Sequence, residues 1–174
     1  MDGEARQQAD HLMQFLREHG CDDPEGWVQA EIEEGRAAVT KWLFLQQLWP
    51  GIIDGSVSNP SWIYRFIDQS KAAPASAFAD AGRSMERMVA AGISAEDIGR
   101  VMRFAAYESV FGVLSFIDER YAQNIEGEVA MARGWALMEI NGEGVLTGRS
   151  LDGLHESLLS MDPSGREGRP ERSQ

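Results

Sequence analysis

Three histidines, one cysteine and two closely spaced glutamates are the side chains of this 174-residue chain whose chemistry can be tested against their spacing. His155-Glu156 begins like the helix of a zinc protease. That chemistry needs a second histidine four residues on, so that both imidazoles face one metal, and position 159 is leucine. His11, His19 and His155 could meet a metal only by long-range assembly, so capping or surface roles are expected and no metal is assigned. Glu31 and Glu34 can share a helix face, but a di-iron bundle also needs Glu-x-x-His pairs, and none occurs. Gly142, Gly144 and Gly148, followed by Arg149-Ser150, lack the lysine-bearing half of a phosphate loop, and a hairpin explains them better. Cys21 stands before Asp22-Asp23, whose charges raise a thiol pKa and so oppose nucleophilic use. Ser76, Ser94 and Ser150 lie outside any nucleophile-elbow sequence. The reading therefore assigns no catalytic residue and no cofactor.

One carboxylate stands apart. Glu108 is embedded in FAAYESVF, on the most apolar helical stretch of the chain. If that stripe is covered, its charge requires a basic partner, Arg100, Arg103 or Arg133, and a carboxylate so placed in a cleft could bind or exchange protons. The structural alternative is that the stripe faces water. The site reading puts a small-ligand pocket between this central helix and the hairpin, with Glu108, Arg103, Arg149 and His155 as its polar members.

The elements that must position these residues follow from periodicity and punctuation. Ala5, Ala9, Leu12, Met13 and Leu16 predict a helix over 4–19, stopped by Gly20. Asp23-Pro24 reads as N-cap and first helical position of a second, weakened at Gly35 before the apolar run 37–48 and ended by Pro50-Gly51. Asn59-Pro60 opens another, with Ile63, Phe66 and Ile67 inward. A fourth presents Phe78, Met85, Met88 and Val89 and stops at Gly92. Ser94-Ala95-Glu96-Asp97 resembles a capping box and introduces the long apolar helix over 95–121, whose composition predicts packing on several sides. The period then changes: residues 135–140, the turn dipeptide Asn141-Gly142 and residues 145–147 predict a hairpin, followed by a short helix to Met161. The expected fold is mainly α, a bundle of five to six helices with a C-terminal β-hairpin and a short final helix. One globular domain over 1–161 and a polar, solvated tail over 162–174 complete the plan.

Charge bounds the partners. Residues 1–35 hold ten acids and two bases, so −8 of the net −12 lies there. A surface of that sign repels phosphate backbones and anionic headgroups, which argues against nucleic acid and membrane as partners. No segment approaches the roughly 20 apolar residues that span a bilayer, the N-terminus lacks the pattern of a secretory signal, and a lone cysteine excludes an intramolecular disulfide, so a cytoplasmic location is expected. The leading functional expectation is a non-catalytic protein-interaction module with an acidic face that receives a protein partner, a basic one by charge, in the manner of an antitoxin or immunity protein. Glu31 and Glu34 on the acidic helices, with Trp49 and Trp62 flanking the loop GIIDGSVSNP and expected to be partly exposed, form that face. The ligand pocket near Glu108 is the alternative, and self-association through the aromatic loop or the hairpin edge is a third reading.

Overall fold

A computed structural model describes residues 3–53, 60–119 and 134–169. Among them are seven α-helices and two strands: α1 (Gly3–Glu18), α2 (Pro24–Ile32), α3 (Ala38–Leu48) leading into a π-helical turn (Trp49–Ile53), α4 (Ser61–Ala72), α5 (Ala79–Ala90), α6 (Ala95–Asp118), β1 (Met138–Ile140), β2 (Leu146–Ser150) and α7 (Leu154–Leu158), which tightens into a 3-10 turn (Leu159–Met161). The chain is mainly helical with a two-stranded antiparallel hairpin and a short helix after it, as its periodicities predict. The backbone divides into two compact units, Met1–Gln47 with Val113–Gln174, and Leu48–Gly112. Helix α6 starts in the second and ends in the first.

In the unit formed by the two ends of the chain, Leu16, Val28 and Trp42 are buried and draw Leu12, Met13, Phe15, Trp27 and Ile32 around them. Phe15 meets Trp42 edge-on, with ring centroids 6.5 Å apart. The start of α2 follows its cap residues: Asp23 accepts the Gly26 amide at 3.0 Å and Pro24 stands first in the helix. The hairpin pairs Met138 with Ser150 and Ile140 with Leu146, with a bulge between. Its turn is longer than a two-residue Asn-Gly turn. Asn141 Oδ1 accepts the amides of Glu143 and Val145, and Gly144, rather than Gly142, takes the positive φ of 79° that the reversal needs. Asp162 is buried, and its carboxylate accepts the amides of Ser164 and Gly168, so the chain stays folded back beyond α7.

In the middle unit Ile63, Ile67, Met85, Ala95 and Ile98 form the core. Helices α4 and α5 approach closely because position 82 is glycine, since a Cβ there would stand 2.0 Å from Ser70 Oγ. Ser94 Oγ accepts the Asp97 amide at 3.0 Å and donates to Asp97 Oδ2, the capping box read from the sequence with Asp in the reciprocal role. The Asn59 half of the cap before α4 lies outside the described residues.

Two expectations about apolar faces are corrected. Phe78, assigned to the inward face of a helix, is 76% exposed and holds φ at 62°, as the residue that precedes α5. Helix α6 is not covered on all sides. Ile98 and Leu114 are buried, while Val101, Phe104, Val113 and Phe116 are all more than half exposed. No described helix is long and apolar enough to cross a membrane.

Candidate functional site

The unit formed by the chain ends contains two clusters of charge. The first is built on the hairpin. Alternation along β1 turns Glu139 inward, and it is only 5% exposed. Its carboxylate accepts from Thr40 Oγ1 at 2.5 Å, Thr147 Oγ1 at 2.7 Å, and Arg149 Nε and Nη2 at 2.7 and 2.8 Å. Arg149 Nη1 donates to Glu31 Oε1 at 2.6 Å and to the carbonyl of Arg36 at 3.0 Å. Glu31 uses its other oxygen to accept the Val39 amide at 2.9 Å, capping α3. Burial pushes the Glu139 carboxyl up, but the hydrogen bonds from both threonines and Arg149 outweigh it and hold the group below its ordinary range. Each charge in this cluster has a matched partner.

The second cluster lines a cavity of about 460 Å³, bounded by α2, α3, the end of α6, and the segment from Ser150 into α7. Lys41 reaches it as the single charged residue of α3. Its Nζ donates to the carbonyls of Asp152 and Gly153, both at 3.0 Å, and stands 5.7 Å from the centre of the Trp27 ring. Burial pulls the Lys41 ammonium below its ordinary pKa, although the carboxylates of Asp118 and Glu156 pull the other way. Asp118, at the last position of α6, receives the His155 amide at 3.1 Å and His155 Nδ1 at 2.6 Å through one oxygen, Oδ2. It thus caps the first turn of α7 from another helix and fixes the imidazole plane. With the carboxylate accepting, the ring proton sits on Nδ1. The Asp118 side chain is 8% exposed, and its Oδ1 is buried without a hydrogen-bond partner. Arg36, Ser150, Asp152 and Glu156 complete the polar wall, and Ala30, Ala37 and Ala38 the apolar one.

A second, wider cavity of about 700 Å³ runs past Cys21, Asp22, Asp23, Trp42 and Gln46 to the 160–163 segment. Burial, reinforced by Asp23 and Asp22, pushes the Cys21 thiol up, which agrees with the reading of it as an inert thiol.

Of the four residues proposed for a ligand pocket, the cavity takes His155 alone. Arg149 is engaged in the Glu139 and Glu31 ion pairs. Glu108 is exposed, as in the alternative that its stripe faces water, and Arg103 stacks its guanidinium 5.4 Å from the centre of the Trp49 ring. Of the four residues proposed for an acidic interaction face, Trp49 is 2% exposed, so the expectation that it is partly open is corrected; its ring also meets Tyr107 at 6.0 Å. Trp62 packs on the core of the middle unit, and the Glu31 side chain is 9% exposed within its ion pair. Only Glu34 lies open, paired with Arg36 at 2.9 Å. Sequence reasoning missed Lys41 and Asp118. The available signals were a lone lysine in the apolar run AVTKWLFLQQL and an aspartate closing an apolar helix. No group of three or more His, Cys, Asp or Glu among the described residues could hold a metal ion. Comparison of the chain with protein-family models, with curated proteins and with solved structures finds no match.

Proposed function

We propose that this protein binds a small zwitterionic molecule in the cavity lined by Lys41, Asp118 and His155, without chemical conversion. The observation that carries the reading is Asp118 Oδ1, a buried carboxylate oxygen left without a hydrogen bond beside a lysine whose charge is itself disfavoured by burial. Folded proteins rarely leave such groups unmatched, and the adjoining cavity supports a ligand as what completes this one. The volume lies within the range of small-molecule sites, and the walls combine a few convergent polar groups with alanine and an indole face. Arg36 and Lys41 offer cations to an anionic group, while Asp118, Asp152 and Glu156 offer acceptors to a cationic or donor group. A ligand of one sign would leave half of these charges facing their like.

The test is a titration followed by NMR of the His155 ring and the Trp27 indole, with glycine, acetate, methylammonium and inorganic phosphate as probes. Glycine is expected to shift both resonances at lower concentration than any singly charged probe, and Lys41→Met and Asp118→Asn to abolish the response. Equal weak responses to all four probes, or none at millimolar concentration, would overturn the reading.

A further inference from the structure

Lys41 and Lys71 are the only lysines in a chain with fourteen arginines. The two kinds of cation differ, because a guanidinium is always charged whereas a buried amine can give up its proton. The surroundings of the two lysines differ as well. Lys71 is exposed and paired with Glu86 at 2.7 Å, which holds its ammonium above the ordinary range. Lys41 is half-buried on the wall of the 460 Å³ cavity, and no carboxylate among the described residues lies within ion-pair distance of its Nζ.

The contacts of the nitrogen suit the neutral form. Lys41 Nζ donates to the carbonyls of Asp152 and Gly153, both at 3.0 Å. An amine has two N–H groups and a lone pair, so two carbonyls satisfy it in full; an ammonium has a third N–H, which no acceptor among the described residues takes. Burial acts in the same direction. Arg36 adds to it, against the carboxylates of Asp118, Glu156 and Asp152, and the net pull is below the ordinary lysine range. The two carbonyls also hold the nitrogen in place, an advantage that a freely turning surface lysine lacks. Gly153 shapes the space beside it. A Cβ at position 153 would stand 3.5 Å from Lys41 Nζ and 3.1 Å from Glu156 Oε2, so the amine and the carboxylate flank one small space that a side chain there would fill.

We infer that Lys41 is a nucleophilic amine that captures a small carbonyl compound, an aldehyde or a 2-oxo acid, as a reversible imine in this cavity. The Nζ lone pair forms a bond to the carbonyl carbon, and the π pair of the C=O bond moves to oxygen. Glu156 takes a proton from the nitrogen and passes it to that oxygen, giving a carbinolamine. The remaining N–H proton follows the same route, the C–O bond breaks, and water leaves as the C=N bond forms. Nothing is oxidised or reduced, and hydrolysis returns lysine and ligand unchanged, so the step is capture and not turnover. Arg36 on the same wall offers a counter-charge to the carboxylate of a 2-oxo acid. The inference shares the cavity with the zwitterion reading but rests only on the amine and its neighbours.

The test is reductive trapping on the full chain. The protein is incubated at pH 7 with glyoxylate and cyanoborohydride, which reduces an imine but spares the free carbonyl, and the modified lysine is located by peptide mass mapping. Lys41 is expected to gain one carboxymethyl group about tenfold faster than Lys71 or more, although Lys71 is the more exposed of the two. In urea, where the cavity is gone, both lysines should react alike. Lys41→Arg should lose the fast modification and leave that of Lys71 unchanged; should this variant not fold, the native-to-urea comparison on the parent chain decides alone. Equal rates in the native protein, modification of Lys71 ahead of Lys41, or the same preference for Lys41 in urea would each overturn the inference. Glycine is absent from the mixture, so a failure here leaves the zwitterion reading standing, and a failed glycine titration leaves this one standing.

Discussion

The hairpin cluster and the cavity cluster belong to the same unit, and each sets a buried carboxylate among basic and polar groups, yet they are satisfied to different degrees. Around Glu139, every charge is answered: two threonine hydroxyls and a bidentate arginine on one carboxylate, the same arginine on Glu31, and Glu31 in turn on the start of α3. Around Asp118, one oxygen takes two hydrogen bonds and the other takes none, and Lys41 is held by neutral carbonyls. The first arrangement locks the hairpin to α2 and α3. The second costs the fold something and leaves capacity for a ligand. Complete satisfaction is the mark of a structural network, and the shortfall in one cavity is what supports the proposal of a ligand there.

Breaking the complete network should have the largest effect. Arg149→Met leaves Glu139 and Glu31 buried without their counter-charge, and the expected loss is about 3–5 kcal/mol, or a fall in melting temperature on the order of 10 °C. Calorimetry or chemical denaturation measures it. Adding Glu139→Leu removes the stranded carboxylate, so the double variant should recover part of the loss. If the two effects simply add, the network is not the unit described above.

Acid should act next, through the same carboxylate. The folded pKa of Glu139 lies below its unfolded value, so the stability it contributes is present above the unfolded pKa and is lost as pH falls through the folded one. A stability profile between neutral pH and about pH 3 should therefore steepen on the acid side of the ordinary glutamate range. Glu139→Gln should flatten that limb while lowering stability at pH 7. A variant that keeps the full acid slope would place the titration elsewhere.

The contrast between the clusters also explains what was legible in the sequence. The helices and the hairpin were legible because their signals are local: Asp23-Pro24, Ser94 with Asp97, and Gly20 and Gly92 after their helices act within a few residues. The site was not, because it is assembled across the chain. Lys41 meets carbonyls 111 and 112 residues away, and Asp118 caps a helix 37 residues on. Periodicity says which face of a helix is apolar but not whether a neighbour covers it, and so Val101 and Val113 read as packed although both are exposed. Trp49 failed in the opposite direction: its loop position suggested exposure, but Tyr107 and Arg103 enclose it. His155 was singled out from the sequence, first for metal ligation, and the structure shows its imidazole held by the Asp118 carboxylate.

Lys41→Met should have the smallest effect on stability, and the comparison turns on it. The folded pKa of Lys41 is depressed by burial, so the charged form is disfavoured at every pH below that value, and the cost fades only as pH rises through it. Methionine keeps the apolar stem against Trp27 and removes that cost. It also removes two hydrogen bonds to carbonyls and the positive charge nearest Asp118, and these losses oppose the gain. The two sides should come within about 1 kcal/mol of each other, a shift of no more than about 4 °C in melting temperature, against the much larger fall for Arg149→Met. The same substitution should nevertheless eliminate the glycine response of the His155 ring. Lys41 destabilised by as much as Arg149 would mean that the cavity cluster is structural after all, whereas an unchanged fold with lost binding separates the two clusters by role.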